Sequence, residues 1–506
     1  MKLFIEPSAS LLLTKLSNLL AEQDIQSYVV GGFVRDVLLG RDTADIDIAV
    51  AADALEIAPR VATALGGKYV PLDRINRVGR VILVDKGESS TKGQWKLDFS
   101  TVKGTIEQDL AQRDFTIDAI AVDLSQLGKD YTDVPLIDPF NGWNDLHQGA
   151  IRTVAETAFE SDAARLLRAV RLAAELGFSI DKETEALIRR QSYLIARVAG
   201  ERVRDELLRL LAIPQAEQLL PYLDKLGLIT AMIPELAQAK GVEQPKEHFW
   251  NVFDHSLKTV IAVDFLLRQG AWPKDSGSGE KHTSEEVLAA TPWSAELAQH
   301  FALEVSSGST RRLLLKLAAL LHDIAKPQTK AIDAQGRMRF LGHAKEGAAI
   351  TATILERLRF SAKEVKLVET MVRYHLRPGQ MGQNELPSPR AIYRYFRDTE
   401  EAGIDILFLS LADHLATRGP QLNMAQWQEH SRIVNYVLTQ RFEQAALVVP
   451  PKLVDGHDLI NIFGMSPGPK IGEFLEQVHE AQASGEVATR EEALSYIRER
   501  LLSKAA

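Results

Sequence analysis

Asp45 and Asp47 stand two residues apart in the run Asp45-Ile46-Asp47-Ile48-Ala49-Val50. In an extended strand, side chains two apart share a face, so both carboxylates point one way while Ile46 and Ile48 point into a core. Adjacent carboxylates repel unless a cation lies between them, and hard oxygen donors of this kind suit Mg²⁺. Upstream, Tyr28-Val29-Val30 runs into Gly31-Gly32, and Phe33 to Leu39 then repeats apolar residues at helical spacing. Two glycines admit a turn closed to other side chains, and bare amides at a helix N-terminus favour a phosphate. Alternation in Lys96-Leu97-Asp98-Phe99-Ser100 brings Asp98 toward the same edge, either as a third acid or as a solvated strand residue. A second group of titratable residues is spread over a long span: His255, then His322-Asp323, His343, His375 and Asp413. One histidine on an apolar helix is ordinarily a satisfied core group. The adjacent His322-Asp323 pair differs, because it follows an apolar helix and precedes the Lys326-Pro327 break, with histidines far away on either side.

These groups need elements to hold them. Residues 8–24 read as an amphipathic helix through Leu11, Leu12, Leu16, Leu19 and Leu20, which would cover one face of a sheet. Ala54 to Leu65 reads as a helix stopped by Gly66-Gly67. Arg80 to Val84 and Trp95 to Ser100 read as strands around the polar turn Lys86-Gly87-Glu88-Ser89-Ser90. Thr157 to Phe178 reads as one helix, and Glu183 to Leu211 as another. Within the first, Asp162, Arg165 and Arg168 step by three and share a face; left alone, that is an i,i+3 salt bridge on a solvated helix. Gly270 to Thr310, with Lys274-Asp275-Ser276-Gly277-Ser278-Gly279-Glu280, reads as a polar, mobile surface insert, and the chain is helical again from Pro387.

At 506 residues the chain is too long for one core, and its 45% hydrophobic and 25% charged residues make an ordinary globular balance. The start Met1-Lys2-Leu3-Phe4-Ile5-Glu6-Pro7 is too short and too charged for a signal peptide, and no apolar run reaches membrane-spanning length. With no cysteine there is neither a disulfide nor a thiolate zinc site, so a cytoplasmic protein without membrane contact is expected. A net charge of −9 excludes nucleic-acid binding by bulk charge and leaves it to a local basic surface. Nothing in the sequence reports an oligomeric state.

The string from Gly31 to Val50, GGFVRDVLLGRDTADIDIAV, resembles the class II transfer-RNA nucleotidyltransferase and bacterial poly(A) polymerase family, within the polymerase-β-type superfamily. Asp109 to Ala121 resembles the family's second motif, with Gln112 and Asp118 standing where the family usually has Arg and Asn. The resemblance implies that Asp45 and Asp47 hold Mg²⁺, that Asp98 helps deprotonate the attacking hydroxyl, and that Gly31, Gly32, Arg35 and Arg113 hold a triphosphate. Glu160 to Arg171 is similar to the family's amino-acid template, with Ser161 in place of a Glu; it implies that Asp162, Arg165, Arg168 and Arg171 meet the nucleotide, an acceptor and donors choosing C or A over G or U. Arg189, Arg190, Arg197, Arg202, Arg204 and Arg209 would supply cations for an acceptor stem.

The second group is similar to the HD phosphohydrolase domain. That implies metal ligands at His255, His322, Asp323 and Asp413, with His343 and His375 as the additional histidines of hydrolytic members. Mixed imidazole and carboxylate suit Mn²⁺, Ni²⁺, Co²⁺ or Zn²⁺, and such an ion turns bound water into hydroxide. Asp455 to Ile460 and Pro467 to Gly472 resemble the family's tail. The expected architecture is α+β: a palm-like head with a mixed sheet over 1–150, then an all-helical neck (151–240), an HD domain (241–385, last ligand Asp413) and a tRNA-binding tail (386–506). The implied activity is addition of CMP and AMP from CTP and ATP to a tRNA 3′ end. A-only, CC-only and poly(A) addition share every motif. An HD phosphodiesterase or phosphatase acting on RNA ends is a second reading, and an inactive RNA scaffold a third.

Overall fold

Val29, Val30, Ile46, Ile48, Val81, Leu97 and Phe99 are all buried, and the strands that carry them make one sheet in the order β3-β4-β5-β2-β1-β6. The strands are β1 Ser27–Val30, β2 Asp45–Val50, β3 Lys68–Asp73, β4 Val78–Val84, β5 Gln94–Thr101 and β6 Ala121–Asp123. Only the central β2–β5 pair is parallel, so the sheet is mixed, as the sequence leads one to expect. In this computed structural model, residues 5–84, 94–127, 134–214, 216–272, 283–306, 308–381, 385–443 and 451–503 are described. The turn Lys86–Ser90 and the stretch Lys274–Glu280 lie outside them.

The chain folds as two compact units, residues 1–198 with 226–231, and residues 199–225 with 232–506. The first holds the sheet. Helix α1, Pro7–Ala21, buries Leu13, Leu16 and Leu20 at helical spacing. Helix α2, Gly32–Leu38, leaves the glycine turn after β1. Helix α3, Ala54–Leu65, starts where the Asp53 carboxylate accepts from the Leu55 amide and stops at Gly66, whose φ of 70° no β-carbon favours.

Two expected helices are broken. In place of one helix from Thr157 to Phe178 there is a short turn, Ala158–Ser161, then Asp162 in extended backbone (φ −152°, ψ 101°), then α4, Arg165–Leu176. Asp162 accepts from the Ala164 amide, the local bond by which Asp interrupts a helix and opens the next. Asp162 therefore does not share a helical face with Arg165 and Arg168. The expected helix from Glu183 to Leu211 divides into Lys182–Gln191, a 3₁₀ stretch Ser192–Arg197, and Gly200–Ala212. Gly200 lies against the Arg357 carbonyl, where an added β-carbon would come to 2.2 Å.

The second unit is helical, built on α5 Val252–Leu266, α6 Arg311–Leu321, α7 His343–Arg357, α8 Ala362–Tyr374, α9 Pro389–Thr399 and α10 Gly403–Arg418. Helices α5, α6, α8 and α10 pack together, and α7 lies on α8. Inside, the Lys316 ammonium donates to the Leu211 carbonyl at 2.5 Å and pairs with the Asp264 carboxylate, both ions being buried. The described part of the expected mobile insert is built in. Thr283 and Glu286 form a capping box, Leu297 and Phe301 are buried, and the Trp427 indole donates to the Val287 carbonyl. The tail closes on its own core of Val454, Leu459, Phe474, Val478, Ala481, Val487, Ala493 and Ile497, with helix α11, Pro469–Ala483, across it. No helix among the described residues is long and apolar enough to cross a membrane.

Candidate active site and metal centre

Strand register brings the head's acids together. Asp47 lies directly beside Asp98 across the parallel β2–β5 pair, and Asp45 is two residues along on the same face. Asp45 is exposed, with the Lys96 ammonium 3.5 Å away. Asp98 is held by both arms of Arg80, at 2.7 Å each. Asp47 is more enclosed. Burial pushes its carboxyl up to about 6, the cation of Arg113 pulls it back, and the anions of Asp98 and Asp118 push it further. Three carboxylates on one face, one of them disfavoured by burial, offer only oxygen donors and fit a hard divalent cation.

Gly31 forms the turn above these acids with φ 68°. An added β-carbon there would meet Arg113 Nη1 at 2.6 Å and Asp47 Oδ2 at 3.2 Å, so the missing side chain is what lets cation and carboxylate meet the turn. The Gly31 amide itself donates to the Ile120 carbonyl at 3.3 Å and serves the backbone, not a phosphate. Gly32 opens α2, with Arg35 and Asp47 both near.

Three of the expected nucleotide-binding arginines, Arg35, Arg113 and Arg168, meet at Asp118. Arg35 Nη1 donates to Asp118 Oδ1 at 2.7 Å, and its other two nitrogens reach Asp36 at 3.0 and 3.1 Å. Arg168 Nη2 donates to Asp118 Oδ2 at 3.3 Å while Nε lies 2.8 Å from Asp114. Arg113 Nη1 reaches the Asp118 backbone carbonyl at 3.4 Å. Arg165 donates to the carbonyls of Gln112 at 2.8 Å, Ala158 at 3.3 Å and Arg113 at 3.5 Å, which ties α4 to the second motif. Arg171 is buried and pairs with Glu175 one turn on. Sequence reasoning missed Arg80, Lys96 and Asp114. Arg80 sits opposite Asp98 in the β4–β5 register, a pairing that alternation in both strands allows but does not single out.

The six residues of the second group meet at one place, delivered by five helices. His255 lies within α5, His322 and Asp323 directly follow α6, His343 opens α7, His375 follows α8 and Asp413 lies within α10. Asp323 divides them. Its Oδ2 lies 3.2 Å from His322 Nε2 and 3.5 Å from His255 Nε2, and its Oδ1 lies 3.4 Å from His343 Nε2 and 3.9 Å from His375 Nε2. Asp413 Oδ1 completes the first side, 3.0 Å from His255 Nε2. The far nitrogens of His322, His343 and His375 face the carbonyls of Ala319, Phe340 and Val372 at 2.8, 2.7 and 2.7 Å, which fixes the tautomer with Nε2 free to ligate. Burial lowers His255, and burial with the neighbouring His322 charge lowers His375 to about 4. Asp323 stays ionised although burial opposes it, because His322 and Lys326 adjoin it. His322 is instead raised: burial opposes this, but Asp323 and Asp413 outweigh it, so a metal bound there would displace its proton. Sequence reasoning missed Lys326 as the partner of Asp323, at 2.6 Å.

Comparison with known proteins follows this division. Residues 27–152 match the family described as Poly A polymerase head domain, 177–240 the probable RNA and SrmB-binding site of polymerase A, and 292–418 the HD domain, whose match begins beyond His255. The A-adding tRNA nucleotidyltransferase of Deinococcus radiodurans is 32% identical over 93% of this chain and 94% of its own. The CC-adding tRNA nucleotidyltransferase of Thermus thermophilus is 32% identical over 93% of each. A solved CCA-adding enzyme in an apo form shares the fold at TM-score 0.62 and 22% identity, over 98% of this chain and 95% of that one. With acids, glycine turn and histidine centre in place, and with that identity running through nearly the whole of both relatives, the chain is a nucleotidyltransferase belonging to the tRNA nucleotidyltransferase family.

Proposed function

We propose that the head adds CMP and AMP, from CTP and ATP, to the 3′ end of a tRNA, building or repairing its CCA terminus. The observation that carries this reading is the registered Asp47–Asp98 pair, with Asp45 on the same face beneath the Gly31 turn. Asp45 and Asp47 would hold Mg²⁺, which when bound neutralises charge at the α-phosphate and on the departing pyrophosphate. Asp98, oriented by the two bonds from Arg80, is the acceptor for the proton of the attacking 3′-hydroxyl. Arg113, packed against the Gly31 turn, holds the triphosphate with Gly32 and with Arg35, whose own contacts in this structure are to Asp36 and Asp118. Base choice belongs to Asp162, just before α4, and to Arg165, Arg168 and Arg171 along it. The functional division is head 1–150, neck 151–240, HD domain 241–385 with Asp413 beyond it, and tail 386–506. A cytoplasmic site of action follows from these substrates. Radiolabelled CTP and ATP offered to tRNAs ending before CCA, after C and after CC test the reading. Extension of all three to CCA is expected; extension of the first two as far as CC, or of the third alone, reassigns the enzyme to CC or A addition, and extension of none removes the reading.

A second activity is favoured by Asp323, whose two oxygens face two imidazole pairs. His255, His322, Asp323 and Asp413, with His343 and His375 on the other side, would hold Mn²⁺, Ni²⁺, Co²⁺ or Zn²⁺. An ion there supplies hydroxide for hydrolysis of 2′,3′-cyclic or terminal phosphates on RNA. The expected result is that His322→Ala with Asp323→Ala abolishes this hydrolysis and leaves CTP incorporation within about twofold, since the two sets of ligands belong to different units. A wild type that hydrolyses nothing with Mn²⁺, Ni²⁺ or Co²⁺ would make the centre structural.

A further inference from the structure

Five charged groups in the head unit form an unbroken chain of alternating sign: Asp36, Arg35, Asp118, Arg168 and Asp114. Its middle member is one of the residues that depart from the family pattern. Asp118 is 2% exposed, and each of its oxygens takes a different guanidinium, Arg35 from the glycine-turn helix α2 and Arg168 from α4. Guanidinium groups only donate, so the residue between two of them must accept on both sides. A carboxylate does this with one oxygen for each, whereas an amide has a single acceptor atom and turns its NH2 donor toward the other guanidinium.

We infer that Asp118 is a positioning residue for nucleotide binding, holding Arg168 in the pose from which it meets the incoming nucleotide. This rests on the proposed function of the head. The two bonds are unequal. Arg35 is 9% exposed and bound to Asp118 at 2.7 Å, whereas the Arg168 side chain is 40% exposed and bound at 3.3 Å. Replacing the carboxylate by an amide leaves its one acceptor with the closer, buried partner. Arg168 is then released toward Asp114, which lies off the Asp118 side. The effect belongs to nucleotide affinity, because two of the acids that carry the chemistry, Asp45 and Asp98, are held by Lys96 and Arg80 and not by this chain of charges.

The test is steady-state incorporation of CMP and AMP by wild type, Asp118→Asn, Arg168→Ala and the double variant. Asp118→Asn is expected to raise KM for CTP and ATP about tenfold, the factor that one lost charge-assisted hydrogen bond produces, with kcat within about threefold of wild type. The double variant should show the KM of Arg168→Ala alone, because a residue acting through Arg168 has nothing left to act on. A KM for Asp118→Asn within about twofold of wild type, or KM effects that multiply in the double variant, overturns the inference. So does a variant whose loss is confined to melting temperature and active fraction. If Asp118→Asn does not fold, Arg168→Lys, which keeps the charge and loses the fork, must reproduce the KM rise or the inference falls. A wild type that incorporates neither nucleotide defeats the reading of the head itself; a wild type that incorporates both beside an unaffected Asp118→Asn defeats this inference alone.

Discussion

Two substitutions separate chemistry from shape at the head. Asp47→Asn keeps the side-chain volume and removes one oxygen anion from the proposed Mg²⁺ site, so the incorporation rate is expected to fall about 10³-fold, or roughly 4 kcal/mol of transition-state stabilisation. Near wild-type incorporation by the purified, folded variant would move the active site elsewhere. Gly31→Ala acts differently. At φ 68° a β-carbon is strained by about 1–3 kcal/mol, and here it also lands 2.6 Å from Arg113. The expected result is a matching loss in denaturant stability together with a raised KM for both nucleotides, since Arg113 must give way. Stability lost with KM unchanged would show that Arg113 does not hold the triphosphate.

At the scale of elements, the Lys316–Asp264 pair is the sharpest case. It joins α6 to α5 inside the helical unit, with the Leu211 carbonyl as third partner. Lys316→Met leaves a buried carboxylate without its ammonium partner, which costs about 3–5 kcal/mol, while Lys316→Met with Asp264→Leu should recover most of it. Urea unfolding of the three proteins decides, and equal destabilisation by the single and double variants would mean that packing, not charge, is at stake. Elements of this kind were unevenly legible. Helix α3 and strands β1, β2, β4 and β5 stand where apolar spacing and the glycine stops place them, because their patterns are local. Asp118 was visible only as a departure, since its partner Arg35 is 83 residues away and no spacing rule links them. The break at Asp162 was hidden because Asp fits a helix surface and a helix start equally well, and only the bond to the Ala164 amide tells which. The histidine centre was readable as a set, yet the division of its imidazoles between the two oxygens of Asp323 required five helices to be packed first.

For the molecule as a whole, the tail is attached by charge. Among the described residues, its apolar core and the side chains packed on it lie between Leu453 and Leu501. Toward α9 it presents Glu476, Glu480 and Glu486, which meet Arg397 at 2.5 Å, Arg394 at 2.7 and 2.6 Å, and Arg390 at 2.8 Å. Raising salt from about 0.1 M to about 1 M shortens the screening length from about 10 Å to about 3 Å and should loosen this contact. The chain has no cysteine, so a dye pair is readily introduced, one on Met424–Glu443 and one on Arg490–Ser503. Energy transfer is expected to fall with salt, and to be low at all salt concentrations in Glu476→Arg with Glu480→Arg. Transfer that ignores both would show a contact of another kind. An ionic seam also answers heat and salt in opposite senses. Warming lowers the cost of stripping water from charges, so the seam tightens as the chain approaches melting, whereas brine parts it while every helix is still intact. The tail is thus a piece whose docking is written in the solvent as much as in the sequence, able to come away whole and return without refolding.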